Sequence, residues 1–318
     1  MNSLTKFLSQ SAFTLVGLGL ATVPANALTV TPTSDPITLA NGIFGSDVNV
    51  FAVRYSGAPE ASGTFTSGFE AIGIDTGLIL TTGSAKGAEG PNSTFLPRNP
   101  GVNNNLTGDL NLDTLTPSST LDATILEIDF FTTGSGEISF DYVFASEEYP
   151  ASSTSSLSFA DVFGFFLDET NIALLPDGTP VSVTNVNGGS PLGTNAVNTS
   201  FFINNPVGSA GTEYNGFTTV LTAQATGLVA NQNYTLKLAI ADVGTAFVDS
   251  AVFIKAGTLT GGPVDPVDPV DPVDPVDPVD PVQSVPEPTT ILGLLALGAF
   301  GANTELKRKQ QQKAIARL

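Results

Sequence analysis

The chain has 318 residues, and its 30 acidic residues outnumber its 11 basic ones, which gives a formal net charge of −19. A nucleic-acid-binding protein would carry basic patches, so this balance argues against nucleic acid as a partner. The chain contains no Cys and no His, which excludes thiol nucleophiles, Ser-His-Asp relays, typical zinc sites and disulfides. Carboxylates and hydroxyls remain, and they suit the binding of hard cations or glycoside hydrolysis by paired carboxylates.

The first 27 residues follow the order of a secretory signal peptide. Lys6 precedes an apolar run, and Ala25 and Ala27 then supply the small residues at positions −3 and −1 of a cleavage site. A buried N-terminal helix is the alternative interpretation. We predict export and cleavage after Ala27, so that the mature chain begins at Leu28.

Residues 28–262 predict a single all-β domain. Apolar and polar residues alternate with a period of two in successive runs, and clusters of Gly, Asn, Pro and Ser separate the runs. This pattern predicts an antiparallel β-sandwich or jelly-roll-like fold. Asp109, Asn111 and Asp113 have the spacing of the first ligands of an EF-hand loop, but the later Gly and Glu are missing. We therefore interpret residues 109–116 as a short helical turn.

The C-terminal part of the chain predicts a spacer, an apolar helix and a basic tail. Six Pro-Val-Asp triplets start at Pro263, and residues 263–288 should form an extended acidic stalk of roughly 80 Å, at about 3.1 Å per residue. Residues 289–306 predict a transmembrane or sorting helix, and residues 307–318 predict a basic cytoplasmic tail. The membrane is thus a predicted partner, and the domain would be displayed outside it.

Carboxylates stand at one end of three predicted strands. Because strand residues alternate between two faces, Glu147 and Glu148 point in opposite directions. In each strand an apolar face leads to one carboxylate: Ile138, Phe140, Tyr142 and Phe144 lead to Glu148; Phe163, Phe165 and Leu167 begin at Asp161; and Tyr234, Leu236, Leu238 and Ile240 lead to Asp242. Connecting loops at 149–160 and 243–248 would then place Asp161 beside Glu148, and Asp249 beside Asp242.

These carboxylates define a candidate calcium site made of Glu148, Asp161, Asp242 and Asp249. Carboxylates at the rim of a sandwich lose part of their hydration and need a partner. The domain offers only five basic residues for this purpose, namely Arg54, Lys86, Arg98, Lys237 and Lys255. A Ca²⁺ ion would bind several of the oxygens at once. The alternative is that they are solvated loop carboxylates or acceptors of N–H groups in turns.

The predicted domain resembles a known bacterial family. The segments FDYVFASEEYP, ADVFGFFLD and YTLKLAIADVGTAFVDSAVFIKAG are similar to the choice-of-anchor L domain, and the resemblance covers about residues 37–259. It implies a surface protein that occurs with varied anchors, and it implies no established activity. Thr245 and Thr235 depart from the acidic residue and the His that are common there. The family's motif positions are occupied by Glu147, Glu148, Tyr149, Asp161, Asp242, Asp249 and Ser250.

The end of the chain resembles the PEP-CTERM sorting signal. Its parts are a box, an apolar helix and a basic cluster, here Val285, Pro286, Glu287 and Pro288 for the box and Lys307, Arg308 and Lys309 for the cluster. The resemblance implies sorting by a membrane exosortase and a link to extracellular polysaccharide. The protein would pass the inner membrane and periplasm on its way to the cell surface or extracellular matrix.

We predict a non-enzymatic module that binds glycan or calcium, or a purely structural coat component. The chain has no Trp, so Tyr149 and Tyr214, both placed in loops, are the expected sugar-stacking residues. The alternative function is a glycoside hydrolase that pairs Glu147 or Glu148 with Asp161 or Asp242.

Overall fold

The computed structural model describes residues 28–45, 48–93, 101–134, 136–150, 161–209, 211–257 and 260–262. The chain divides into two units, Met1–Val264 and Asp265–Leu318, and every described residue belongs to the first. The predicted signal peptide, stalk, PEP box, apolar helix and basic tail lie outside the described residues. Within the described ranges, no helix is long and apolar enough to cross a membrane.

The described residues are mostly β-strand, with a few short helices. The helices are α1 Pro36–Asn41, α2 Phe69–Ile72 and α3 Leu110–Asp113, and 3-10 turns occur at Ala85–Ala88 and Thr199–Phe201. The strands are β1 Thr29–Pro32, β2 Val48–Ser56, β3 Ser62–Thr66, β4 Gly77–Thr81, β5 Thr120–Thr132, β6 Gly136–Ser146, β7 Val162–Leu167, β8 Thr170–Asn171, β9 Phe202–Asn204, β10 Gly216–Thr218, β11 Leu221–Leu228, β12 Asn233–Val243, β13 Ser250–Lys255 and β14 Thr260–Gly262.

The strands form two sheets, and every pairing in them is antiparallel. The first sheet has the order β1-β3-β4-β13-β6-β10-β9, with β11 and β14 also paired to β6. The second sheet has the order β2-β5-β12-β7-β8. Consecutive strands therefore cross repeatedly between the sheets, and the predicted all-β, sandwich-like fold is confirmed.

The main hydrophobic core lies between the two sheets. Phe163 on β7 stands in an aromatic cluster, with ring centroids 5.0 Å from Tyr142, 5.6 Å from Phe144 and 4.9 Å from Phe165. Leu238 and Ile240 on β12 join the same core and are fully buried. The apolar faces predicted from strand alternation therefore do face the core.

The strict alternation of buried and exposed residues fails in the central strands. The edge strand β2 alternates almost throughout, whereas all five residues of β4 are buried. The reason is that the outer faces of both sheets are covered. Ala71 and Ile72 of α2 pack on the first sheet, and Leu112 of α3 packs on the second. Central strands that are buried on both faces have continuous apolar runs, because no position in them faces water.

Candidate functional site

Four aspartates from both sheets come together at one end of the sandwich. Asp242 is near the end of β12, and Asp161 immediately precedes the neighbouring strand β7. Asp122 is on β5, where the register against β12 shifts, and its φ is 46°. Asp249 immediately precedes β13 of the other sheet. We call Asp122, Asp161, Asp242 and Asp249 the carboxylate cluster.

Asp161 connects the two sheets through hydrogen bonds. Its Oδ1 accepts the backbone N–H of Val243 at 3.0 Å, and its Oδ2 accepts the hydroxyl of Ser250 at 2.7 Å. Val243 belongs to the second sheet and Ser250 to the first. Both acceptor atoms of this fully buried carboxyl are thus held in fixed positions.

Two other members of the cluster hold the segment of residues 101–106. Asp249 Oδ1 accepts the backbone N–H of Val102 at 3.1 Å. Asp122 accepts the N–H groups of Asn104 and Leu106 at 2.8 and 2.6 Å. The cluster therefore organises a connecting segment as well as the ends of the strands.

Asp242 differs from its three neighbours because neither of its carboxyl oxygens has a hydrogen-bond partner among the described residues, although the residue is 0% exposed. The Thr82 hydroxyl and the Asp161 carboxyl are close enough to influence its pKa. Neither of them makes a hydrogen bond of normal geometry with it. Buried polar atoms in folded proteins nearly always have a partner, so this residue needs an explanation.

Burial raises the pKa values of Asp161, Asp242 and Asp249, and repulsion between the carboxylates raises those of Asp242 and Asp249 further. Burial is the main cause that raises the pKa of Asp242, and the charge of Asp161 raises it further. Burial also raises the pKa of Asp161, against the opposing hydrogen bonds from Ser250 and Val243. The pKa of Asp249 is raised by burial to about 7, although the Val102 N–H favours its charged form.

No described basic residue neutralises the cluster. The four described basic side chains of the domain all form ion pairs with other carboxylates: Arg54 with Glu127 and Asp129, Lys86 with Glu89, Lys237 with Asp109, and Lys255 with Asp141. Arg98, the fifth, lies outside the described residues. Within the described part of the chain, the cluster therefore has no protein cation to compensate its charge.

The structure modifies the candidate calcium site predicted from the sequence. It brings Asp161, Asp242 and Asp249 together, and Asp122 lies with them. Strand β6 ends at Ser146, so alternation does not extend to the two Glu residues: Glu147 is buried and Glu148 is half-buried. Burial raises the pKa of Tyr149, and the charges of Glu148 and Asp161 raise it further.

The arrangement is not a preformed metal cage. In the described ranges, no three Asp or Glu side chains stand close enough around one point to hold a metal ion. The sequence does contain a signal for Asp122, because this residue has the same parity as Leu126, Ile128 and Phe130 of the core face. This parity places Asp122 on the core side of β5.

The two candidate sugar-stacking tyrosines are inside the protein. Tyr149 and Tyr214 are each 3% exposed. Tyr149 packs 5.0 Å from the ring of Phe202, and the Tyr214 hydroxyl lies 3.3 Å from that of Thr81. The prediction that they stack on sugars is therefore wrong, because a buried ring offers no face to a ligand.

The predicted helical turn is confirmed, and it borders a surface cleft. Asp109 caps α3 by accepting the N–H groups of Asn111 and Leu112 at 3.0 and 3.1 Å, so its role here is structural. Lys237 donates to Asp109 and, at 2.8 Å, to Asn111 Oδ1. The cleft has a volume of about 410 Å³ and is lined by Asn111, Glu127, Phe166, Asp168, Glu169, Thr235 and Lys237.

Comparison with known proteins identifies the sorting signal. Residues 284–309 match the model of the PEP-CTERM protein-sorting motif. This match includes the predicted box at Val285, Pro286, Glu287 and Pro288 and the basic residues Lys307, Arg308 and Lys309. The chain is therefore an exported protein that is destined for the cell surface and sorted by an exosortase-type system.

The described domain matches a second family model. No curated protein and no solved structure matches the chain. Residues 28–260 match the model of the choice-of-anchor L domain. This range contains all four members of the carboxylate cluster and nearly the whole β-sandwich. The chain belongs to the choice-of-anchor L domain family.

Proposed function

We propose that the protein is a non-enzymatic binding or structural module that is displayed outside the membrane on its Pro-Val-Asp stalk. In this proposal, residues 28–262 form the module and residues 263–288 the spacer. Residues 289–306 hold the chain in the membrane, and the basic residues 307–318 remain cytoplasmic. The observation that carries the non-enzymatic part is the burial of the carboxylates that a hydrolase would need.

A glycoside hydrolase requires two carboxyl groups on either side of a sugar bond, in a cleft that the substrate can enter. Glu147 is 6% exposed, and Asp161 and Asp242 are 0% exposed. Asp161 also accepts hydrogen bonds from two protein groups, Val243 and Ser250. These carboxyls are thus enclosed by protein, and this favours a structural role over contact with a polymer.

An extracellular polysaccharide is the proposed partner of the module, and the cleft beside Lys237 is its proposed contact surface. The cleft presents hydrogen-bonding side chains of both charges, which suits the hydroxyl groups of a sugar. Its rim includes the tight turn at Asp168 and Glu169, with φ values of 44° and 73°. Such turns are usually made by Asn-Gly, so the two acidic side chains occupy positions that cost conformational energy.

The binding test is a co-sedimentation assay of the purified full chain with matrix polysaccharide from the producing cells. We expect retention of the wild type and at least a tenfold weaker retention of Glu169→Ala. Glu70→Ala is the matched control, because Glu70 is also exposed but lies outside the cleft. Equal retention of all three proteins would rule out the cleft as the contact surface.

The same incubation tests for catalysis. We expect no release of reducing sugar ends above the buffer level. A release that disappears in Glu148→Gln or Glu147→Gln would establish the hydrolase instead.

The sorting system is tested in cells that lack the exosortase-type enzyme. There the protein should change in mass or in location, and N-terminal sequencing of the surface form should begin at Leu28. An unchanged mass and location would mean that the tail is only a plain anchor.

A further inference from the structure

We propose that the carboxylate cluster binds a calcium ion, with Asp242 as the central ligand and Asp122, Asp161 and Asp249 around it. The site is internal to the sandwich and separate from the proposed sugar cleft. The test of this site therefore does not depend on the partner that the module binds.

The first argument is the state of Asp242. Both of its oxygens are buried and lack hydrogen-bond partners in the part of the chain that the structure describes. An ionised carboxylate in that position would be costly without a partner, and a neutral acid would still leave an unpaired donor and acceptor. A bound cation would supply the missing partner, because it would bind the Asp242 oxygens that have no hydrogen bond.

The second argument is the way the other three aspartates are held. Their oxygens accept hydrogen bonds from backbone N–H groups and from the Ser250 hydroxyl. A carboxylate oxygen that accepts one hydrogen bond keeps a second lone pair for a cation. Protein groups that donate to metal ligands in this manner commonly fix their orientation.

The third argument is charge. The cluster holds four acidic groups, and the ion pairs leave none of the four described basic residues to balance them. A divalent cation would offset part of this charge. Calcium binding would require the carboxylates to move closer together, because no three of the described acidic side chains converge on one point.

The ligand chemistry selects calcium among the common metals. All the available donors are oxygens, and the chain has no Cys or His to favour zinc or copper. Calcium accepts six to eight oxygens in an adaptable geometry, whereas magnesium requires a small octahedron and usually keeps several waters. A cluster of four carboxylates from two sheets offers up to eight oxygens and fits the first description better.

The test is thermal unfolding of the purified full chain, first in chelator and then with added calcium. A ligand that binds only the folded state, at a hundredfold excess over Kd, should raise the Tm by about 5–10 °C for a domain of this size. Asp242→Asn should lose most of this shift relative to its own chelated melt. Asp75→Asn is the matched control: Asp75 is exposed and remote from the cluster, so its variant should keep the full shift.

Two further variants make the outcome decisive. If Asp242→Asn does not unfold cooperatively, Asp122→Asn replaces it as the test of the same site. Asp265→Asn in the stalk should behave like the wild type. The proposal is overturned by a calcium-insensitive wild-type melt, by a shift that survives in both cluster variants, or by an equal shift with magnesium. A wild type that ignores calcium and loses stability in Arg98→Gln would identify Arg98 as the cation instead.

Discussion

The stability of the metal-free protein should fall as the pH rises from 5 to 8. The perturbation is the ionisation of buried carboxyls that have no described cation beside them. In the folded state the pKa of Asp249 is raised by burial to about 7, against an ordinary value of 3.8. The folded state therefore binds more protons than the unfolded state above pH 4, and the free energy of unfolding decreases with pH in this range.

The size of the effect follows from the shift. A difference of about three pK units, from 3.8 to about 7, corresponds to about 4 kcal/mol at 1.36 kcal/mol per unit. About 2.5 kcal/mol of this loss falls between pH 5 and 8, and the raised pKa values of Asp161 and Asp242 add to it. Asp35, Asp129 and Asp177 have lowered pKa values. Their stabilising contributions are lost only at lower pH, so they do not mask the trend.

The assay is thermal unfolding in chelator at half-unit steps of pH. From Asp249 alone we expect the Tm to fall by about 5–10 °C across the window. Asp249→Asn should remove that part of the slope, whereas Asp75→Asn should leave the slope unchanged. A chelated wild type whose Tm stays constant or rises between pH 5 and 8 would refute the reasoning, since it would show that the buried carboxyls are compensated within the protein.

Two further predictions concern packing. Phe163→Ala should reduce the free energy of unfolding by about 3–5 kcal/mol, because it removes one ring from the aromatic core. The control is Phe247→Ala, whose side chain is 67% exposed. It should change the free energy of unfolding by no more than about 0.5 kcal/mol in a denaturant titration. Gly83→Ala would place a methyl group against the Asp249 carboxylate, so it should cost about 1–3 kcal/mol and reduce the calcium-induced Tm shift. The control is Gly87→Ala, because a methyl group added there meets nothing within 4 Å. If both variants melted at the same temperature, the result would contradict the packing around Asp249.

The sequence was sufficient to predict the core faces of the main strands and the short turn at α3. Alternation works there because one strand face meets the inter-sheet core, as for Leu238 and Ile240. It fails beyond the strand ends, since a turn releases side chains from the two-residue repeat. Strand β6, for example, stops at Ser146, so its alternation does not determine where Glu148 points.

Other features depended on contacts that no local pattern contains. The burial of Tyr149 involves the ring of Phe202, which belongs to β9, far along the chain. The grouping of Asp122 with Asp242 depends on the register between β5 and β12. Registers follow from long-range pairing, so one sequence read strand by strand cannot supply them.

Export of the protein and the proposed calcium binding by the carboxylate cluster are physically connected. Extracellular calcium-binding modules commonly have dissociation constants of about 10⁻⁴–10⁻³ M, so a weak site can be filled only where calcium is abundant. In the absence of calcium, Asp161, Asp242 and Asp249 oppose folding at neutral pH, because their raised pKa values require the folded state to bind protons that the unfolded state does not. The domain would then reach full stability after it leaves the cytoplasm, where the ion joins β12, β7 and β5 of one sheet to the start of β13 in the other. A site that links both sheets in this way makes the fold of the displayed module respond to the environment in which it is displayed.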